Sequence, residues 1–292
     1  MMHIDKKIKW GIALGLGPAL LVYIGFAIVP IIISFYYSFM KWDGFSPMHY
    51  VGLDNFKQLF KDQLFWHSLK NNVYVILASV IGQLTLAMVF ALLLNRRLKG
   101  AKLFRTIGFM PVVLSSVVVS LTWSLIYNSE DGLLNELLRA VGLHSWAQNW
   151  LGNEHLAMIS VCVTIIWQFI GLYMIIFLAA LQNIPREILE AAEIDGATEW
   201  NKTWKIIIPM MKDTIMAALV LAISGSLKTF DQIYVMTSGG PNHATEVSAV
   251  YMYNKTFQSL QFGYGSAISV FIFIFGLVLI LLLNKFIGRS VA

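Results

Sequence analysis

The chain has 292 residues, of which 58% are hydrophobic and only 13% charged, and its net charge is +5. That charge content is about half that of a soluble globular domain, and it leaves too little polar surface to cover a water-facing fold. Disorder, a collagen-like repeat and a disulfide-stapled scaffold are excluded, the last because Cys162 is the one cysteine.

Taken in chain order, six blocks are long and nearly free of charge. Residues 11–39 follow Lys6, Lys7 and Lys9. This start looks like a signal peptide, but a signal core runs only about 7–15 residues. The block is therefore expected to persist as a first helix, with Pro18 and Pro30 inside it. Residues 73–94, 106–127 and 156–181 are uncharged. Residues 214–236 are interrupted by Lys228 and Asp231, and residues 267–287 by Lys285 near the end. A helix needs about 20 apolar residues to cross a bilayer core, and a helix uncharged on all faces is not a surface helix. The expectation is an all-α membrane protein with six transmembrane helices over these ranges, in one domain covering 1–292.

Charge placement gives the orientation. With the N-terminus inside, the inner segments hold 14 of the 21 basic residues, the outer segments hold six, and Lys228 lies within a helix. The run Arg96-Arg97-Leu98-Lys99, with Lys102 and Arg105, contributes most to the inner side. The positive-inside rule then places both termini in the cytoplasm. The positive charge is thus accounted for by membrane topology, and no nucleic-acid partner is expected.

No P-loop, His-Glu-x-x-His or Cys-x-x-Cys pattern occurs. The six histidines are scattered outside the apolar blocks, whereas a metal site needs clustered ligands. The chain is expected to be no enzyme and to hold no cofactor or metal of its own.

The most informative stretch lies between the fourth and fifth blocks, at 185–209. Pro185 suits a helix start and Glu187 favours the positive end of the helix dipole. The spacing predicts a helix over 186–194 with an Arg186–Glu190 pair, a stop at Gly196, a cap at Thr198 and a second helix over 199–208 before Pro209. Five of the 16 acidic residues crowd here: Glu187, Glu190, Glu193, Asp195 and Glu199. From spacing alone this is an amphipathic loop or a docking element.

The same residues carry a resemblance. Glu190-Ala191-Ala192, three residues, Gly196, nine residues, then Ile206-x-Ile208-Pro209 resembles the EAA signature of binding-protein-dependent ABC importer permeases. Ile208 stands where leucine is usual, and Trp204 where phenylalanine is common. Further stretches are similar to carbohydrate-type permeases of the MalF/UgpA-like class: 51–56 (Val-Gly-Leu-Asp-Asn-Phe), Thr237-x-Gly239-Gly240-Pro241 with Thr245-Glu246 and Tyr251-Met252-Tyr253, and 262–267 (Phe-Gly-Tyr-Gly-Ser-Ala). The resemblance implies the type I ABC importer (MetI-like) permease fold in a bacterial or archaeal cytoplasmic membrane. It also implies a sugar substrate, a second and different permease subunit, two cytoplasmic ATPase subunits that bind ATP and Mg, and an extracytoplasmic solute-binding protein. By the same resemblance, 185–209 is a coupling segment, and Glu190, Ala191, Ala192, Asp195, Gly196 and Ala197 contact an ATPase subunit.

Charges inside a membrane are costly, roughly 2.5–3.5 kcal/mol on insertion scales, so Lys228 and Asp231 are expected to face the bundle interior or water. Three residues apart on one helical face, they either pair with each other or line a path. Sugars take hydrogen-bonding groups and flat apolar surface. The substrate-path candidates are therefore Ser115, Ser116, Gln168, Tyr173, Ser226, Lys228, Thr229, Phe230, Asp231 and Tyr234. The serines have a packing role as the alternative. A self-contained secondary transporter or channel, driven by an ion gradient through Lys228 and Asp231, is the competing reading.

Overall fold

The structure, a computed structural model, describes residues 6–96 and 99–288. Arg97 and Leu98 of the basic run, and Arg289, lie outside the described residues. Five helices are long and apolar enough to cross a membrane: Gly15–Tyr37, Gln63–Leu94, Glu154–Gln182, Lys212–Thr237 and Phe262–Lys285. A bent pair, Ala101–Val113 and Ser116–Ile126, supplies a sixth span when counted as one. Among the described residues, β structure is confined to Met40–Lys41 paired antiparallel with His49–Tyr50.

The second span illustrates why charge-free blocks misplace helix ends. Its 32 residues rise to about 48 Å, well beyond a hydrocarbon core of about 30 Å. The excess is a polar start containing His67, Lys70, Asn71 and Asn72, so the helix begins at Gln63 rather than at 73.

Two helices read as continuous in the sequence are broken in the structure. The stretch 106–127 ends its first helix at Val113, passes through extended Leu114 and Ser115 (ψ 145° and 133°), and restarts at Ser116 with a 101° bend. Pro111 lacks an N–H and crowds the turn before it, and the Leu114 N–H closes back on the Pro111 carbonyl at 3.2 Å. The stretch 214–236 breaks at 228–230, between Lys212–Leu227 and Asp231–Thr237. There Ser226 Oγ and Thr229 Oγ1 donate to the carbonyls four residues back, Ala222 at 2.8 Å and Gly225 at 3.1 Å. Such back-bonding competes with the helical ladder. Lys228 and Asp231 therefore do not share one helical face, and among the described residues no ion pair joins them.

The backbone packs as two compact units. One comprises the chain up to Asp62 together with Met252–Ile274. Its centre is Asn55, which donates to the Ser38 and Met40 carbonyls at 2.9 and 2.8 Å and so pins the hairpin. Trp42 packs on Tyr37 and Phe262, and Tyr264 Oη donates to Asp62 at 2.6 Å. Asp43 accepts from the Ser46 hydroxyl and amide and from the Phe45 amide, which pull its pKa down to about 2.

The other unit comprises Gln63–Tyr251 and the continuation from Phe275. It holds two apolar cores. Leu84, Ala91, Met174, Phe177, Leu181 and Met211 belong to one, and Val75, Tyr127, Val161, Ile165, Ile233 and Val250 to the other. At Gly171 the Glu154–Gln182 helix lies directly on the Ala101–Val113 helix. A Cβ at Gly171 would stand 1.9 Å from the Gly108 carbonyl oxygen.

Candidate functional site

The segment after the fourth span folds as an angled helix pair. Pro185 precedes the helix Arg186–Ile194, with Glu187 in its first turn. The helix ends in paired backbone bonds, Gly196 N to Glu193 O at 3.0 Å and Ala197 N to Ala192 O at 2.9 Å, with Gly196 at φ +77°. Thr198 Oγ1 accepts from the Asn201 amide at 3.3 Å and caps the next helix. That helix runs from Glu199 through a π-turn at Thr203–Ile207 to Met210. Glu190, Ala191, Asp195 and Gly196 are exposed and Ala197 is half-buried, whereas Ala192 turns inward. Ile194 and Trp200 are 87% and 70% exposed, and the Trp204 ring lies 5.4 Å from that of Trp200. This is an apolar surface on a charged segment, of the kind that marks an interaction site. The Arg186–Glu190 pair expected from the spacing does not form among the described residues.

A different residue organises these charges. The Lys202 side chain is only 10% exposed, and its Nζ donates to Glu193 Oε1 at 2.5 Å and to Glu199 Oε1. Arg96 stands 3.6 Å from Glu199. Hydrogen bonds to Glu193 and then Glu199 hold the Lys202 ammonium above the usual lysine range, and the bond from Lys202 holds the Glu199 carboxyl below the usual carboxylate range. The signs follow by linkage. A raised lysine contributes stability that is complete below its ordinary pKa and lost as pH rises through the folded value. A lowered carboxyl contributes stability that is complete above its ordinary pKa and lost as pH falls through the folded value. The tie is therefore whole between about pH 5 and pH 10. Hydrogen exchange of the 193–202 amides, corrected for intrinsic rate, should be flat across that window. A step inside it would contradict the assignment.

A cavity of about 350 Å³ opens where the fifth span breaks. Lys228, Thr229, Phe230, Asp231 and Gln232 line it from the break, Ser226 and Gly225 from the helix before, and Tyr173 and Phe169 from the fourth span. Ser116 lines it from the restart of the bent third span, and Ser79 and Gln83 from the second. Around it runs a chain of polar contacts. Gln232 Nε2 donates to Gln168 Oε1 at 3.0 Å, and Gln168 Nε2 reaches the Leu114 carbonyl at 3.3 Å and Ser116 Oγ at 3.4 Å. Ser226 Oγ meets Ser79 Oγ at 3.1 Å.

Of the ten path candidates, Ser116, Tyr173, Ser226, Lys228, Thr229, Phe230 and Asp231 border this cavity. Gln168 is buried behind it, and Tyr234 stacks on Phe230 at 4.9 Å. Ser115 is exposed in the bend and is not among the lining residues. Sequence reasoning missed Ser79, Gln83 and Gln232. Ser79 and Gln83 had a signal: with Asn72 they recur at seven and four residues, one polar line on an otherwise apolar helix.

The motif at 237–246 is a hydrogen-bonded loop. Thr245 Oγ1 donates to the Gly240 carbonyl, and Thr237 Oγ1 stands 2.7 Å from Thr245 Oγ1. Asn71 Nδ2 donates to the Glu246 carbonyl at 2.9 Å, and Asn72 Oδ1 accepts from the Ser248 amide at 2.8 Å. Among the described residues, no group of three or more His, Cys, Asp or Glu side chains gathers for a metal.

The family model described as "Binding-protein-dependent transport system inner membrane component" matches residues 83–292. The chain is 37% identical over 289 residues to the probable ABC transporter permease protein YurN of Bacillus subtilis, covering 98% of each. It is 34% identical to the trehalose/maltose transport system permease protein MalF of Thermococcus litoralis, over 87% of this chain and 85% of that one. Its fold matches a crystal structure of a bacterial ABC transporter involved in importing the acidic polysaccharide alginate, with a TM-score of 0.85, 25% identity and 98% of each chain covered. An all-α membrane chain with six spans, a bent third span and an EAA-patterned helix pair before the fifth thus belongs to the inner-membrane permease family of binding-protein-dependent ABC transporters.

Proposed function

We propose that this chain is one of two permease subunits of an ATP-driven sugar importer, lies with both termini in the cytoplasm, and forms half of the translocation pathway. The observation that carries the reading is the exposed, capped helix pair at 185–209, in a segment that the count of basic residues assigns to the cytoplasmic side. Glu190, Ala191, Asp195, Gly196 and Ala197 contact a cytoplasmic ATPase subunit that binds ATP and Mg, and the inward Ala192 keeps that surface close-packed. A second, different permease completes the pathway, two ATPase subunits drive it, and a solute-binding protein delivers cargo from outside. A carbohydrate cargo is supported by the relatives, one a trehalose/maltose permease and one an alginate importer. It is supported also by the cavity, where hydroxyl and charged groups of Ser116, Ser226, Thr229, Lys228 and Asp231 converge beside the Tyr173 and Phe230 rings. Alternating access to this cavity from the two sides of the membrane is the transport mode that goes with the reading.

The test is affinity purification of the tagged chain from membranes that also contain its partner subunits, followed by reconstitution in liposomes. An ATPase should co-purify, and uptake of radiolabelled trehalose, maltose or alginate oligosaccharide should require ATP and all subunits. Flux through liposomes holding this chain alone under a proton or sodium gradient would overturn the reading in favour of a secondary transporter using Lys228 and Asp231.

A further inference from the structure

The turn between the two helices of the 185–209 segment is open at its apex: Gly196 sits at φ +77° and, its chain neighbours aside, nothing lies within 4 Å of where a Cβ would be. Of the two backbone bonds that close the first helix, Gly196 N to Glu193 O stops at the corner and Ala197 N to Ala192 O passes it by one residue. The contact that joins the bodies of the two helices is a side chain: Lys202, on the second helix, reaches back nine residues to Glu193 on the first and also holds Glu199. Leu189 on the first helix and Ile207 on the second both pack against the apolar core around Ile184 and Met211, and the nearly buried Lys202 ammonium adds a direct tie between the two helices.

Past Lys202 the backbone ladder continues toward the cavity. Met211 N donates to Ile207 O at 3.0 Å and Ile215 N to Met211 O at 2.9 Å, so the hydrogen bonds run through the residue that separates this helix from Lys212–Leu227. Met211 itself is buried at 1% exposure. From Lys202 to Leu227 the rise is about 38 Å at 1.5 Å per residue, and the last turn carries Ala222, Gly225 and Ser226 at the cavity wall. The second contact of the tie, Arg96 at 3.6 Å from Glu199, has both partners largely exposed and contributes little.

We propose that Lys202 is a positioning residue: by binding Glu193 across the Gly196 corner it makes the coupling helix and the fifth span one rigid lever, so that displacement of the helix at 186–194 is delivered to the break at 228–230. The inference rests on the coupling role of the segment. It adds that angular stiffness at this corner, rather than contact with the ATPase, is what Lys202 supplies.

The experiment is pulsed electron–electron spin resonance on the assembled transporter. Nitroxides are placed at Arg186→Cys and Lys205→Cys, both exposed, with Cys162 left in place because it is buried. Distances are recorded without nucleotide and after trapping with ATP and vanadate. With Lys202 present, the distribution should be narrow and the same in both states, as for a rigid body. Lys202→Met should at least double its width and make it shift on trapping, while the ATPase still co-purifies. Lys202→Arg should restore the narrow distribution, because a guanidinium also spans two carboxylates. Glu193→Gln, an exposed and fold-neutral change, should broaden it in the same direction. An unchanged, narrow distribution in both Lys202→Met and Glu193→Gln would overturn the proposal. Failure of the ATPase to co-purify with the unsubstituted chain would instead overturn the coupling role itself.

Discussion

Gly171→Ala is expected to lower the stability of the purified chain by about 1–3 kcal/mol, the range for overpacking a close contact. The added methyl would stand 1.9 Å from the Gly108 oxygen, 2.6 Å from its carbonyl carbon and 2.9 Å from the Phe109 Cα. All three atoms are backbone, so no rotamer change relieves the clash. The Glu154–Gln182 helix must move off the Ala101–Val113 helix, and it carries Gln168 and Tyr173 with it. Thermal unfolding in detergent, followed by loss of monodispersity, measures the effect. Gly171→Leu should give no monodisperse protein. Gly25→Ala is the control: nothing lies within 4 Å of its Cβ position, and it should stay within about 0.5 kcal/mol of the parent. Equal midpoints for the 171 and 25 variants would show that the two helices do not touch at this point.

Gly196→Val is expected to do the opposite, leaving the spans intact and removing function. There is space for the side chain, but a left-handed backbone costs an L-residue about 1–2 kcal/mol, and a β-branched residue is a true outlier there. The turn relaxes to negative φ, and the helix Arg186–Ile194 leaves its angle. The yield and thermal midpoint of the purified chain should hold, while retention of the ATPase on the tagged chain drops at least tenfold. Gly196→Asn, whose short polar side chain tolerates this conformation, should fall between. Retention equal to the parent in the valine variant would sink the contact assignment for Gly196.

The legibility of this chain was uneven for physical reasons. A bilayer demands long charge-free helices, so the spans declared themselves in composition. The ends of the 186–194 helix were readable because caps are local: Pro185, Gly196 and Thr198 act through their own backbones. Breaks inside spans were harder. The third span was read as continuous through Pro111, and nothing apolar or polar in the sequence marks how far a helix turns after such a proline. At the break around Lys228 the Ser226 and Thr229 hydroxyls fold back on their own helix, but Thr122 and Thr164 do the same inside unbroken helices, so such residues do not mark a break in the sequence. Side-chain pairing was the least readable. Arg186 and Glu190 sit at ideal spacing yet stay apart, while Lys202 finds Glu193 nine residues away because a corner brings them together. Gln232 likewise meets Gln168 across 64 positions, a pairing only the packed helices create.

The bend of the third span has one more consequence, for how the cavity is able to diversify. Breaking a helix inside a low-dielectric slab strands backbone groups that must find partners, and the Leu114 carbonyl finds Gln168. Gln168 is thereby committed to two duties, one toward the cavity through Gln232 and Ser116 and one toward the scaffold. A replacement that suits a new cargo but abandons Leu114 disturbs the bend itself. Lys228 and Asp231 border the same space, and among the described residues their side chains make no ion pair with the scaffold. On the proposed cargo role of the cavity, a lineage acquiring a different sugar would drift first at 228 and 231, with Gln168 changing last and only in company with 114–116.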